Sequence, residues 1–131
     1  MVLLTFPRGA DAVIIASSGS SDIYSHYAKA GGLLYLSGQV PMDGTGHIVP
    51  GGIEEHTAQC ISNIEQVLKS AGSSIEKLVK VNIFLKHMSD FDAVNEIYEK
   101  ALPTPKPART CMQAGKLPLD VLIEIEAVAL A

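Results

Sequence analysis

At 131 residues the chain fits one domain, and 47% hydrophobic against 5% aromatic content, with no Trp, points to an aliphatic, Ala-rich core. So large an apolar share in so short a chain favours a buried subunit interface. A net charge of −4 with no basic stripe argues against nucleic acid as a partner, and the two cysteines, with neither CxxC nor Cys/His ligand spacing, fit a reducing compartment.

Met1 to Phe6 is apolar for too short a run to form a signal-peptide core or a membrane span, so the expectation is a soluble cytoplasmic protein with no membrane partner. Asp11 to Asp22 holds one apolar cluster, Val13-Ile14-Ile15, followed by Ser17-Ser18-Gly19-Ser20-Ser21. Residues 1–22 therefore read as an N-terminal strand and a flexible Ser/Gly-rich loop, without the Arg-rich, acid-poor character of a mitochondrial presequence.

Leu33 to Val40 reads as a strand that stops at Pro41, with Ser37-Gly38 forming either a bulge or a ligand-facing edge where Gly38 permits close approach. A Gly-rich loop leads to a helix expected over Ile53–Ala71, with Thr57, Ala58, Ile61, Ile64, Leu68 and Ala71 on one face and Gly72 ending it. His56 and Cys60 stand at i and i+4, but no further ligands accompany them, so packing is the stronger reading and no metal is expected. Val79 to Leu85 alternates as a strand. Ser89-Asp90 then offers an N-cap for a second helix bearing Phe91, Val94, Tyr98 and Ala101. Pro103, Pro105 and Pro107 stiffen the link that follows.

The last quarter holds two alternating runs, Arg109 to Ala114 and Val121 to Ala129. In the second, Val121, Ile123, Ile125, Ala127 and Ala129 share one face, and Leu122, Glu124, Glu126 and Val128 share the other. Closed as a symmetric antiparallel hairpin, the two runs would set Arg109 across from Glu124 on one face, either as a surface ion pair or as the centre of a site. A slip of two residues would pair Arg109 with Leu122 or Glu126 instead. Glu126 lies roughly 6.6 Å along the strand from Glu124, close enough for one carboxylate to raise the other's pKa.

The segment Pro107-Ala108-Arg109-Thr110-Cys111, with Leu117-Pro118 and Ile123-Glu124-Ile125-Glu126-Ala127, resembles the C-terminal signature of the RidA (YjgF-type) enamine/imine deaminases. Ser37-Gly38-Gln39-Val40-Pro41, Val79-Lys80-Val81, Asp90-Phe91, Val94-Asn95 and Tyr98 extend the resemblance over roughly residues 24–130. It implies a single α+β domain of chorismate-mutase-like fold, a mixed sheet with two helices on one face, and a homotrimer with clefts between subunits. The implied substrates are 2-aminoacrylate, 2-aminocrotonate and their imines, hydrolysed to 2-oxo acids and ammonia without metal or organic cofactor. Arg109 would then clamp the carboxylate and Glu124 would activate water. Tyr24, Ser37, Gly38, Asn95 and the backbone N–H around Cys111 would bind substrate, with Tyr27 as the alternative to Tyr24. Asp22-Ile23 stands where family members commonly carry Gly-Pro, placing a negative charge near an anionic ligand. Cys111 as a nucleophile lacks a nearby His to activate it. A carboxylate-binding module without turnover, and a ribonuclease or translation inhibitor, are the other classes the resemblance admits.

Overall fold

The computed structural model describes residues 2–5, 12–16 and 23–131. The Ser17–Ser21 loop and Asp22 lie outside the described residues. Among these described residues seven strands form one mixed sheet: β1 (Val2–Thr5), β2 (Ala12–Ala16), β3 (Tyr27–Ala30), β4 (Leu33–Gln39), β5 (Leu78–Leu85), β6 (Ala108–Gln113) and β7 (Ile123–Leu130). Their order across the sheet is β1-β2-β3-β4-β7-β5-β6, which leaves β1 and β6 as its edges. Two helices, α1 (Ile53–Ser70) and α2 (Phe91–Ala101), pack on one face, so the fold is α+β as expected.

Period-two alternation builds the core. Ile123, Ile125, Ala127 and Ala129 of β7 and Val81, Ile83 and Leu85 of β5 are buried beneath Ile61, Ile64 and Leu68 of α1 and Val94 and Tyr98 of α2. Gly52 starts α1 by donating its N–H to the Glu55 carboxylate at 2.8 Å, and Gly72, at φ 76°, follows its end in the left-handed region.

Several expectations need correction. Val13-Ile14-Ile15 belongs to a second N-terminal strand, β2, paired antiparallel with β1. On α1 the expected Thr57, Ile61, Ile64 and Leu68 are buried, with His56 and Cys60 packed beside them, but Ala58 is exposed because it lies one step off that stripe. Asp90 does not cap α2 with its side chain. It already has αR geometry at the end of a 3₁₀ turn, Met88–Asp90, so its carboxylate is not aimed back at the helix N–H groups. A register shift between Leu78 and Lys80 leaves Val79 43% exposed.

The largest correction concerns the terminal strands, which do not form a hairpin. β6 runs parallel to β5 after the α2 crossover, and β7 pairs antiparallel with β5 and β4, so β5 lies between the two presumed partners. The connector from Ala114 to Leu122 crosses the end of β5, with Ala114 donating to the Leu85 carbonyl and Lys86 to that of Leu122, each at 2.9 Å. A connection spanning an intervening strand bridges roughly 10 Å, more than a tight turn covers.

Candidate functional site

This topology decides where the signature side chains go. Arg109 is in register with Val81, and Val81 with Ala127, both buried beneath the helices. Glu124 is in register with Phe84, and Phe84 with Met112, on the opposite face. Within one chain, Arg109 and Glu124 therefore point to opposite sides of the sheet. The signature yields two half-sites, not one.

The first half-site is built on α2. Arg109 Nη1 donates to Asn95 Oδ1 at 2.7 Å, and the guanidinium carbon lies 4.9 Å from the Tyr98 ring centre and 5.6 Å from that of Phe91. No carboxylate of the described residues lies within 4.0 Å of this half-buried cation. Among the described residues its charge is oriented by neutral groups alone, the condition in which a guanidinium recruits an external anion. Cys111 lies on the same face, two residues along β6. Burial pushes its thiol pKa up and the Arg109 charge draws it partly back, which disfavours the thiolate that a nucleophile needs.

The second half-site lies where β4 ends beside β7. A cavity of about 820 Å³ is lined there by Tyr24, Ser37, Gly38, Glu124 and Glu126, among others. The register shift between Leu36 and Gln39 is the anticipated bulge, and it carries Gly38 against the Glu124 carboxylate. A Cβ at Gly38 would fall 2.1 Å from Glu124 Oε1, so glycine is what admits the carboxylate. Burial, and then the neighbouring Glu126, raise Glu124 above the ordinary carboxylate range. Glu126 accepts a hydrogen bond from Asn82 Nδ2 at 3.1 Å. Ser37 Oγ donates to the Ser25 carbonyl at 2.6 Å and the Ser37 N–H donates to that of His26 at 3.0 Å, fastening the Tyr24 segment to β4. Tyr24 is 57% exposed, whereas Tyr27 is 5% exposed in the core, which removes Tyr27 as the cleft alternative.

Tyr24, Ser37, Gly38 and Glu124 thus come together at the cavity, and Arg109, Asn95 and Cys111 come together on the other face. Sequence reasoning took Phe91 and Tyr98 only as packing residues. The available signal was their spacing with Asn95 at i, i+4 and i+7, which places all three on one side of α2. Among the described residues, no group of three or more His, Cys, Asp or Glu could hold a metal, and no helix is long and apolar enough to cross a membrane.

Comparison with known proteins gives consistent matches. Residues 15–131 match the family model described as Endoribonuclease L-PSP. The mitochondrial protein mmf2 of Schizosaccharomyces pombe is 51% identical over 109 residues, which span 81% of this chain and 86% of that protein. The crystal structure of yeast Mmf1 superposes with a TM-score of 0.82 at 38% identity, covering 85% of this chain and 89% of the other. Escherichia coli TdcF, solved with bound serine, gives a TM-score of 0.77 at 29% identity over 88% of this chain and 91% of that one.

Proposed function

The chain belongs to the RidA (YjgF-type, L-PSP) family, and from that premise we propose that it hydrolyses reactive 2-enamine and 2-imine acids to 2-oxo acids and ammonia. The observation that carries this reading is the half-buried Arg109 guanidinium, oriented by Asn95 and without a carboxylate partner among the described residues. A planar fork of donors held that way suits two-point contact with a substrate carboxylate.

Glu124 supplies the proton chemistry. Its raised pKa brings it nearer the range useful to a general base, and it lines a cavity with room for a small acid and a water. The carboxylate takes a proton as water adds to the imine carbon, then returns one to the nitrogen as the C–N bond breaks. One water is consumed, C=N becomes C=O, and ammonia leaves. No step requires a metal or a redox partner.

Since Arg109 and Glu124 face opposite sides of one sheet, a working cleft joins the Arg109 half-site of one copy to the Glu124 half-site of another. The homotrimer with clefts between subunits that the family resemblance implied would supply such a junction. The same clamp without turnover would give a carboxylate-binding protein. TdcF with bound serine favours keeping that second reading, because serine carries the same carboxylate. The mitochondrial designation of the S. pombe relative supports a mitochondrial location.

The test is release of ammonia and 2-oxo acid while a threonine or serine dehydratase generates the imine, comparing wild type, Arg109→Ala and Glu124→Ala. Acceleration by wild type and loss in both variants is the expected result. Refolding the two inactive variants together should restore part of the activity, because mixed assemblies contain clefts with both native residues. A wild type no faster than the uncatalysed reaction that still binds 2-oxobutyrate would support the binding reading. RNA cleavage that survives Arg109→Ala would instead support the ribonuclease activity in the family's description.

A further inference from the structure

Arg109 is held by more than one hydrogen bond. Phe91, Asn95 and Tyr98 recur at i, i+4 and i+7 on α2, so one side of a single helix meets the guanidinium with two rings and an amide. The rings lie 5.6 and 4.9 Å from its central carbon, and the amide oxygen lies 2.7 Å from Nη1. Among the described residues the buried Tyr98 hydroxyl has no hydrogen-bond partner, so Tyr98 meets Arg109 as a ring and not as a polar group. Burial and the Arg109 charge act on that hydroxyl in opposite directions, and burial is the larger influence.

From this geometry we propose that Phe91, Asn95 and Tyr98 are positioning residues that fix the plane of the Arg109 guanidinium and so set the orientation of the bound carboxylate. The proposal rests on Arg109 being the carboxylate clamp. Each member has a physical reason to be what it is. Aromatic faces attract the cation and restrict it to a layer without neutralising it. Asparagine supplies an acceptor that fixes one guanidinium nitrogen while carrying no charge, whereas aspartate there would occupy the cation with an internal ion pair. Because Asn95 Oδ1 is turned to Arg109, its Nδ2 is directed elsewhere and can serve as a second donor beside the clamp.

The probe is 2-oxobutyrate binding measured by calorimetry, with KM and kcat from the coupled assay and thermal unfolding of each variant. Tyr98→Leu and Phe91→Leu should each weaken binding and raise KM roughly fivefold to tenfold. Tyr98→Phe keeps the ring and should restore affinity to about that of wild type, because the hydroxyl has no partner. Asn95→Asp should weaken binding by at least about tenfold through pairing with Arg109, with little change in unfolding temperature.

A double-mutant cycle separates positioning from packing. In the wild-type background Arg109→Lys loses the planar fork, but in Phe91→Leu, where the fork is no longer held, the same change should cost clearly less. Additive losses in the cycle, or aromatic-to-leucine variants that lower the unfolding temperature without changing affinity, would overturn the proposal. Should Tyr98→Leu fail to fold, the half-buried Phe91 carries the test alone. If Arg109→Ala binds 2-oxobutyrate as wild type does, the clamp reading itself has failed. If Arg109→Ala abolishes binding and the cradle variants do not disturb it, only the present proposal falls.

Discussion

Replacing Gly38 by alanine is a one-atom test of Glu124. The added Cβ would lie 2.1 Å from Oε1, 2.9 Å from Cδ and 3.1 Å from Cγ of Glu124, so the carboxylate oxygen must withdraw by about 1.3 Å to reach the 3.4 Å of ordinary contact. The obstacle is the tip of a flexible side chain, and the Gly38 backbone lies outside the left-handed region, so the fold can accommodate the change. Alanine's smaller unfolded-state entropy offsets part of the cost, and the net effect on stability should stay within about 1 kcal/mol. Catalysis is less forgiving, since misplacing a reacting group by about 1 Å costs on the order of a hundredfold. That corresponds to about 2.7 kcal/mol of activation free energy. We therefore expect Gly38→Ala to unfold near the wild-type temperature while kcat/KM in the dehydratase-coupled assay falls about a hundredfold. In Glu124→Ala the same glycine change should add little, because the group it displaces is gone. A folded Gly38→Ala with wild-type turnover would refute the assignment of Glu124 as the base.

Ionised Glu124 is the active form, so the rate falls as pH drops through its raised pKa. Glu126→Gln removes the second cause of that elevation and should move the acidic limb of the kcat/KM profile to lower pH. Folding makes the Glu124 proton harder to lose. Its contribution to stability is thus full below the unfolded pKa and lost as pH rises through the folded one, and Glu124→Gln should flatten that dependence in urea titrations at a series of pH values. At pH 7, iodoacetamide should modify Cys111 more slowly than free cysteine, as burial raises its pKa, and mass spectrometry can follow the reaction. Ile83 of β5 is fully buried in the core, and Ile83→Ala should cost about 2–5 kcal/mol in denaturant unfolding.

What the sequence showed best was facing. The alternation of Ile123, Ile125, Ala127 and Ala129 against Glu124 and Glu126 is the alternation of buried and less buried positions in β7. The Ile61, Ile64 and Leu68 stripe with Gly72 likewise located α1 and its end. Pairing was not legible, because a strand's pattern records which side is buried and not which strand lies beside it. Arg109 and Glu124 were thus assigned to one face when β5 separates their strands. The short β3 was missed because Lys29 interrupts its apolar residues over only Tyr27–Ala30. The aromatic surroundings of Arg109 depend on α2 folding back beside β6, a long-range contact that local periodicity does not encode.

The position of β6 at the margin of the sheet has a bearing on solubility. Among the described residues no strand pairs with its outer side, and an open margin of this kind can template addition of another extended segment and so seed aggregates. The residues leading into it limit that danger. Pro103, Pro105 and Pro107 have no N–H to offer, so an incoming strand could not extend its ladder back past Ala108. The proline-rich link that looked like a stiff tether also acts as a gatekeeper, bounding the exposed margin at the six residues of β6.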